Sequence, residues 1–184
     1  MSDITQLLEK AREGEAGAVD AVFAALYPEL RRLAHARLSQ GGRHTLLDTT
    51  VLINECYLKL VDGGRLALND RGHFVAYAAH AMRSIIIDYA RYRLRERRGG
   101  GAEHDTLNTE LIDGLPTGDD QIVAVHDALL DLAKREPRLV QVVEMRYFGG
   151  LTEAEIAQAL DLTERTVRRD WEKARLLLAD ALRQ

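Results

Sequence analysis

An all-helical fold is predicted for this chain, and three observations predict it. Only 5% of its residues are aromatic and only three are proline, while Ala, Leu and Arg are abundant, a composition that favours helix over strand. Apolar residues recur at three- and four-residue spacing in the segments taken in order below. Helix-start chemistry precedes two of those segments near the C-terminus.

Ile4, Leu7, Leu8 and Ala11 set a short first helix. Residues 18–38 read as a second, with Pro28 expected to kink it or break it in two. Residues 47–61 read as a third, in which Leu47, Val51, Leu52, Cys56, Leu58 and Leu60 make more than one side apolar. A loop rich in Gly, Asn and Asp follows, DGGRLALNDRG. Residues 72–98 read as a long fourth helix ending in RYRLRERR. Residues 99–121 then bring three consecutive glycines, a proline, two more glycines and no apolar periodicity. They read as a flexible linker that divides the chain into two small helical domains, 1–98 and 122–184. Protease is expected to cut there and release two folded fragments. In the second domain, helices are expected near 121–134 and 138–147, the latter started by Pro137 and ended by Gly149–Gly150.

Residues 151–178, LTEAEIAQALDLTERTVRRDWEKARLLL, are the most informative stretch. Thr152 and Glu155 have the spacing of a capping box, and Leu151 and Ile156 that of a hydrophobic staple. Thr163 as N-cap, with Leu162 and Val167, repeats the arrangement. Two short helices meeting across Leu160, Asp161 and Leu162 form a helix-turn-helix. Asp161 stands where glycine is easier, but Asp tolerates the left-handed conformation better than most residues. Such a unit lays its second helix in the DNA major groove. Val167, Trp171, Ala174 and Leu178 should face inward, leaving Arg165, Arg168, Arg169, Glu172 and Lys173 outward. Arginine near the start of a recognition helix can fork onto guanine or grip phosphate. Charge alone would favour a solvated helix; the capping and the staple on both helices favour the DNA-reading unit.

The net charge of −4 is unusual for such a unit, but its distribution accounts for it. Residues 1–98 carry +3, residues 99–121 carry −6 and residues 122–184 carry −1. The acidity sits in the linker. Extended, its 23 residues span up to ~80 Å, more than two ~34 Å turns of B-DNA. The single cysteine, Cys56, excludes an internal disulfide and a Cys-based zinc site, and reads as a small core residue. Neither a signal peptide nor a run of 18 apolar residues is present, which predicts a soluble, cytoplasmic protein with no membrane partner.

This order of parts resembles the bacterial extracytoplasmic-function (ECF) sigma factors, group IV of the sigma-70 family. LYPELRRLAHARL (26–38) resembles region 2.1, and LLDTTVLINECYLKLV (46–61) resembles region 2.2. HFVAYAAHAMRSIIIDYARYRLRERR (73–98) resembles regions 2.3 and 2.4, and residues 122–182 resemble region 4. The run TVRRDW (166–171) resembles a subgroup often labelled ECF-like. The resemblance implies a sigma factor that binds core RNA polymerase and directs promoter-specific transcription initiation. Region 2.2 would dock on the β′ clamp through Asp48, Thr50, Asn54, Glu55 and Leu58, and region 4 would lie at the β flap. Region 4 would read double-stranded DNA at the −35 element through Arg165, Thr166, Arg168, Arg169 and Lys173.

The long fourth helix would melt the −10 element and hold its single strand. Phe74, Tyr77, Tyr89 and Tyr92 are interleaved there with Arg83, Arg91, Arg93 and Arg95, the mixture of aromatic faces and basic groups that unstacked DNA requires. Phe74 and Tyr77 suit a core role equally well. In the family the loop before this helix captures a flipped base, a role that would fall here to Asn69 and Asp70. The −10 set is therefore Asn69, Asp70, Phe74, Tyr77, Arg83, Tyr89, Arg91 and Arg95.

One departure from the family pattern bears on control. Region 2.2 usually carries an acidic cluster, which falls here on Asp48-Thr49-Thr50-Val51 and keeps only one acid. Phosphorylation of Thr49 or Thr50 by a Ser/Thr kinase would restore negative charge at the start of the docking helix. Alternatively, the threonines merely cap that helix. An anti-sigma factor is the other candidate for control.

Two rival functions fit parts of the sequence. A polymerase-independent helix-turn-helix regulator explains 151–178 but leaves the Tyr/Arg helix and the two-sided helix at 47–61 without a role. An enzyme would need more than His73 and His80 with His35 or His44; there is no HExxH, no GxxxxGK[ST] and no Cys pair. Neither catalytic residues, nor a metal, nor a cofactor are expected.

Overall fold

The computed structural model describes residues 3–40, 48–62, 70–100 and 118–183. They form eight α-helices: α1 (Asp3–Glu13), α2 (Ala18–Gln40), α3 (Thr49–Asp62), α4 (Arg71–Gly100), α5 (Asp119–Ala133), α6 (Pro137–Val143), α7 (Glu153–Leu160) and α8 (Glu164–Ala181). No strand occurs among the described residues. The fold is all-α, as the composition and periodicity predict.

Pro28 does not break α2, which runs continuously from Ala18 to Gln40. The lost hydrogen bond would have engaged the carbonyl of Ala24, and both residues face solvent, where water can replace it. Leu26, Leu30 and Leu33 are buried on the opposite side and hold the helix across the proline. Tyr57 of α3 donates to Asp20 of α2, and its ring meets Phe23 edge-on at 4.8 Å.

The expected helix at 138–147 has two parts. Pro137 starts α6 as its first residue, and at Glu144 the chain widens into a π-helical turn, Glu144–Phe148. There the Gly149 amide donates to the Glu144 carbonyl at 2.9 Å. The widened turn brings Glu144, Met145, Tyr147 and Phe148 all inward. The ends of the 99–121 segment are helical, with α4 reaching Gly100 and α5 starting at Asp119; residues 101–117 lie outside the described residues.

One apolar cluster runs through both halves of the chain, from Leu8, Leu26 and Leu33 through Phe74, Ala79 and Met82 to Leu129, Phe148, Ile156 and Val167. Helix α4 is central to it, packing on α3 and also on α5, α7 and the π turn.

Candidate nucleic-acid interface

The helix-turn-helix is built as its sequence dictates. The Glu155 amide donates to Thr152 Oγ1 at 3.3 Å, and the Thr152 amide donates to Glu155 Oε2 at 2.8 Å, closing the capping box. Burial pushes the Glu155 carboxyl up, but the Thr152 hydrogen bonds and Arg32 outweigh it and hold the group below its ordinary value. Leu151 and Ile156 are both buried, as a staple requires. Asp161 ends α7 in the left-handed conformation, φ 53° and ψ 48°, and its amide donates to Ala157. Thr163 then caps α8 by accepting from the Thr166 amide at 3.2 Å. These features fix where α8 starts and which way it points.

Val167 and Ala174 face inward, with Trp171 and Leu178 half-buried on the same side. Arg165, Arg168, Arg169, Glu172 and Lys173 are exposed, and Thr166 is half-buried with its hydroxyl 2.9 Å from that of Thr163. The outward set is thus brought together on one face. Glu153, at the start of α7, organises part of it. Its carboxylate accepts from Arg146 at 2.8 Å and from Arg168 Nη2 and Nε at 2.9 and 3.0 Å. Those two arginines hold it below the ordinary carboxylate value. Arg146 also lies over the Trp171 ring, 4.8 Å from its centroid. Arg138 donates to the buried carboxylate of Asp170 at 2.7 Å, tying α6 to α8. Lys173 donates to Glu136 at 2.6 Å.

The −10 candidates are divided by the fold. Asn69 lies outside the described residues. Asp70 caps α4, accepting from the His73 amide at 2.8 Å, and that bond keeps its carboxyl below the ordinary value. Phe74 is only 2% exposed and belongs to the core. Tyr77 is half-buried and donates to the Lys59 carbonyl at 3.0 Å. Tyr89 is half-buried beside exposed Tyr92, ring centroids 6.5 Å apart, and Arg95 is exposed. Arg83 is buried against Glu144 at 2.5 Å and donates to His126 Nδ1 at 3.2 Å. Arg91 pairs with Asp127 at 3.3 Å.

The α3 candidates share an exposed face. Asp48 caps the helix through the Val51 amide at 2.8 Å, so the cap comes from the aspartate and neither threonine supplies it. Thr50, Asn54, Glu55 and Leu58 are exposed, and Thr49 is half-buried. Val51, Leu58 and Val61 are 43–49% exposed along the same side, while Leu52, Ile53, Cys56 and Leu60 are buried on the other.

Over residues 1–184 the chain matches the family model described as ECF sigma factor. The chain belongs to the ECF sigma factor family. No curated relative matches it. As an ECF sigma factor it is a DNA-binding regulator rather than an enzyme, binds core RNA polymerase and promoter DNA, and directs transcription initiation. Among the described residues no helix is long and apolar enough to cross a membrane.

Several residues that shape these faces in the sigma factor have at most a weak signature in the sequence: Glu144, His126, Asp119, Asp127, Glu153 and Asp170. Each acts on a partner 15 to 64 residues away or across a turn, beyond any local motif. A weak signal did exist: α4 carries Arg83, Arg91 and Arg97 on one side, and α5 carries Asp119, His126 and Asp127 to meet them.

Proposed function

We propose that this sigma factor works as two functional modules, residues 1–98 and 122–184, joined by the acidic 99–121 segment. Helix α3 docks on the polymerase β′ clamp through Asp48, Thr50, Asn54, Glu55 and Leu58. Helix α4, with Asn69 and Asp70 before it, melts and holds the −10 element. Helix α8 reads the −35 element through Arg165, Thr166, Arg168, Arg169 and Lys173, with the β flap beside it. The observation that carries this reading is the convergence of Arg165, Arg168 and Arg169 on the open face of α8, whose start is capped by Thr163 just after the left-handed Asp161 that ends α7. The exposed Val51, Leu58 and Val61 support a docking role for α3, since apolar side chains in a row on one exposed face suit a protein partner.

Control belongs to the same proposal. Thr50 is exposed in the first turn of α3, next to the capping Asp48, so a phosphate there would add charge at the positive end of the helix. A Ser/Thr kinase acting on Thr50 or Thr49 would then strengthen docking; an anti-sigma factor is the alternative regulator. The TVRRDW run supports placement in the ECF-like subgroup.

Holoenzyme carrying Arg168→Ala or Arg169→Ala tests the recognition helix. Promoter affinity should fall roughly 5- to 150-fold for each arginine that reads a base. A loss confined to one −35 sequence marks base readout, and a uniform loss with a shallower salt dependence marks phosphate contact. Unchanged promoter affinity in both variants would overturn the assignment of α8.

A further inference from the structure

We propose that Glu153 is a positioning residue for promoter reading: it holds one edge of the Arg168 guanidinium so that the other edge meets a guanine in the −35 element. This rests on the −35 reading of α8 given above and names the base that Arg168 seeks there.

The geometry of the pair decides which part of Arg168 is left for DNA. Nε and Nη2 both donate to Oε2 of Glu153, at 3.0 and 2.9 Å. That contact uses the side edge of the guanidinium. The group carries five N–H bonds in one rigid plane, so its end edge still offers both hydrogens of Nη1 and the second hydrogen of Nη2. Two parallel donors match the O6 and N7 acceptors of guanine, whereas adenine presents a donor where guanine has O6. The Arg168 side chain is 61% exposed and that of Glu153 only 21%, so the arginine is the outer partner.

Glu153 is itself fixed. Its other oxygen, Oε1, accepts from Arg146 Nη1 at 2.8 Å, and Arg146 lies 4.8 Å from the centre of the Trp171 ring. Trp171 stands three residues after Arg168 on α8, a neighbouring position on a helix surface. The network therefore leaves α8 at Trp171, passes through the π turn and the first residue of α7, and returns to α8 at Arg168. Arg146 also offsets the carboxylate, so two arginines and one glutamate present a net positive charge to DNA phosphate. An exposed ion pair adds little to folding stability. Its effect here is on binding: a free arginine must give up rotamer freedom to form its fork, and Arg168 has already given it up. Arg169 is held less closely, 3.7 Å from Asp170, which already accepts from Arg138.

Holoenzyme assembled from core polymerase and the full chain is offered duplexes randomised across the −35 element, and the bound and unbound pools are sequenced. Arg168→Ala should erase a guanine preference at one position. Glu153→Ala should lower the preference at that same position at least threefold, a part of the roughly 5- to 150-fold that one bidentate contact discriminates, and leave the other positions alone. Affinity for a scrambled duplex should hold or rise, because a negative charge has left the surface. Damage to the fold would lower both. In the Arg168→Ala background Glu153→Ala should change no preference further, and in the Arg169→Ala background its full effect should persist. Replacing the selected guanine by 7-deazaguanine, which lacks the N7 acceptor, should weaken the parent at least about threefold and either single variant little.

Should Glu153→Ala lose helix by circular dichroism, Glu153→Gln takes its place. It keeps the length of the side chain, loses the charge and must turn its amide nitrogen toward one of the two arginines. A guanine preference lost in Arg168→Ala but kept in the folded Glu153 variant overturns the positioning role and leaves the −35 reading standing. Equal flattening of every position in the folded Glu153 variant also overturns it. A preference lost in Arg168→Ala for a base other than guanine overturns the fork geometry. No change at any position in Arg168→Ala overturns the −35 base reading of Arg168, and the positioning role with it.

Discussion

The pair formed by Arg83 and Glu144 offers the sharpest energetic test of the folded chain. Both residues are nearly inaccessible, 5% and 8% exposed, and they meet at 2.5 Å between α4 and the π turn. Removing one partner of a buried pair costs about 3–5 kcal/mol, because the other charge is stranded in a poor solvent. Here each survivor keeps a second partner: Glu144 has His80 at 3.0 Å, Arg83 has His126 at 3.2 Å. The lower end is therefore expected, about 3 kcal/mol for Arg83→Met or Glu144→Met. For a chain of this size that is a fall of roughly 6–12 °C in Tm. The double variant Arg83→Met/Glu144→Met strands neither charge and should return to within about 1 kcal/mol of the parent.

Urea unfolding followed by circular dichroism at pH 7 measures all three. The pH dependence separates the single variants further. In the parent, the hydrogen bond to Glu144 raises the His80 pKa, against burial and against Arg83 and Lys59. A raised value means stability that is full below about pH 6.5 and is lost as pH climbs through the folded pKa. With Arg83 removed, protonated His80 is the remaining cation at Glu144, so the penalty should grow between about pH 6 and pH 8. Glu144→Met leaves a permanently charged arginine and should show no such growth. Single variants costing under ~1 kcal/mol, or a double variant no better than the worse single, would refute the buried-pair account.

Other perturbations follow from local geometry. Asp161→Ala should cost about 1–2 kcal/mol by forcing a Cβ into the left-handed region without the polar side chain that lets Asp tolerate it, while Asp161→Gly should cost nothing or stabilise; thermal melts of the two compare them directly. Thr152→Ala removes one side of the capping box and should cost about 1 kcal/mol in the same melts. Glu144 and Glu155 both have carboxyls held below their ordinary values against an upward push from burial, by His80 and Arg83 and by Thr152 and Arg32 respectively. Their contribution is present above about pH 4.5 and is lost as pH falls through the lowered values, so acid unfolding should begin at lower pH in the parent than in Glu144→Met.

The parts most legible in the sequence are those written in short-range chemistry. Thr152 with Glu155, Thr163, the staple pair of Leu151 and Ile156 and the left-handed Asp161 lie within a few residues of what they fix, and the structure has each of them. The inward and outward faces of α8 follow from helical spacing alone. Pro28 does not break its helix because the competing force, burial of Leu26, Leu30 and Leu33, belongs to tertiary packing. The π turn gives no warning, since widening one turn changes no residue type. The burial of Phe74 and Arg83 is hidden for a different reason. An Arg/Tyr-rich helix has the same composition whether its cations meet phosphates or the carboxylates of Glu144, Asp127 and Asp119. Composition ranks what a surface can bind, and only the fold decides which partner is there.

Run-off transcription from genomic fragments with purified core RNA polymerase, with and without this protein, tests the central claim most directly. Discrete transcripts from specific promoters should appear only when the chain is added, and should disappear when Arg168 and Arg169 are both replaced by alanine. Sequence-specific DNA binding by the chain alone, with no transcript from core polymerase on any fragment, would contradict the account.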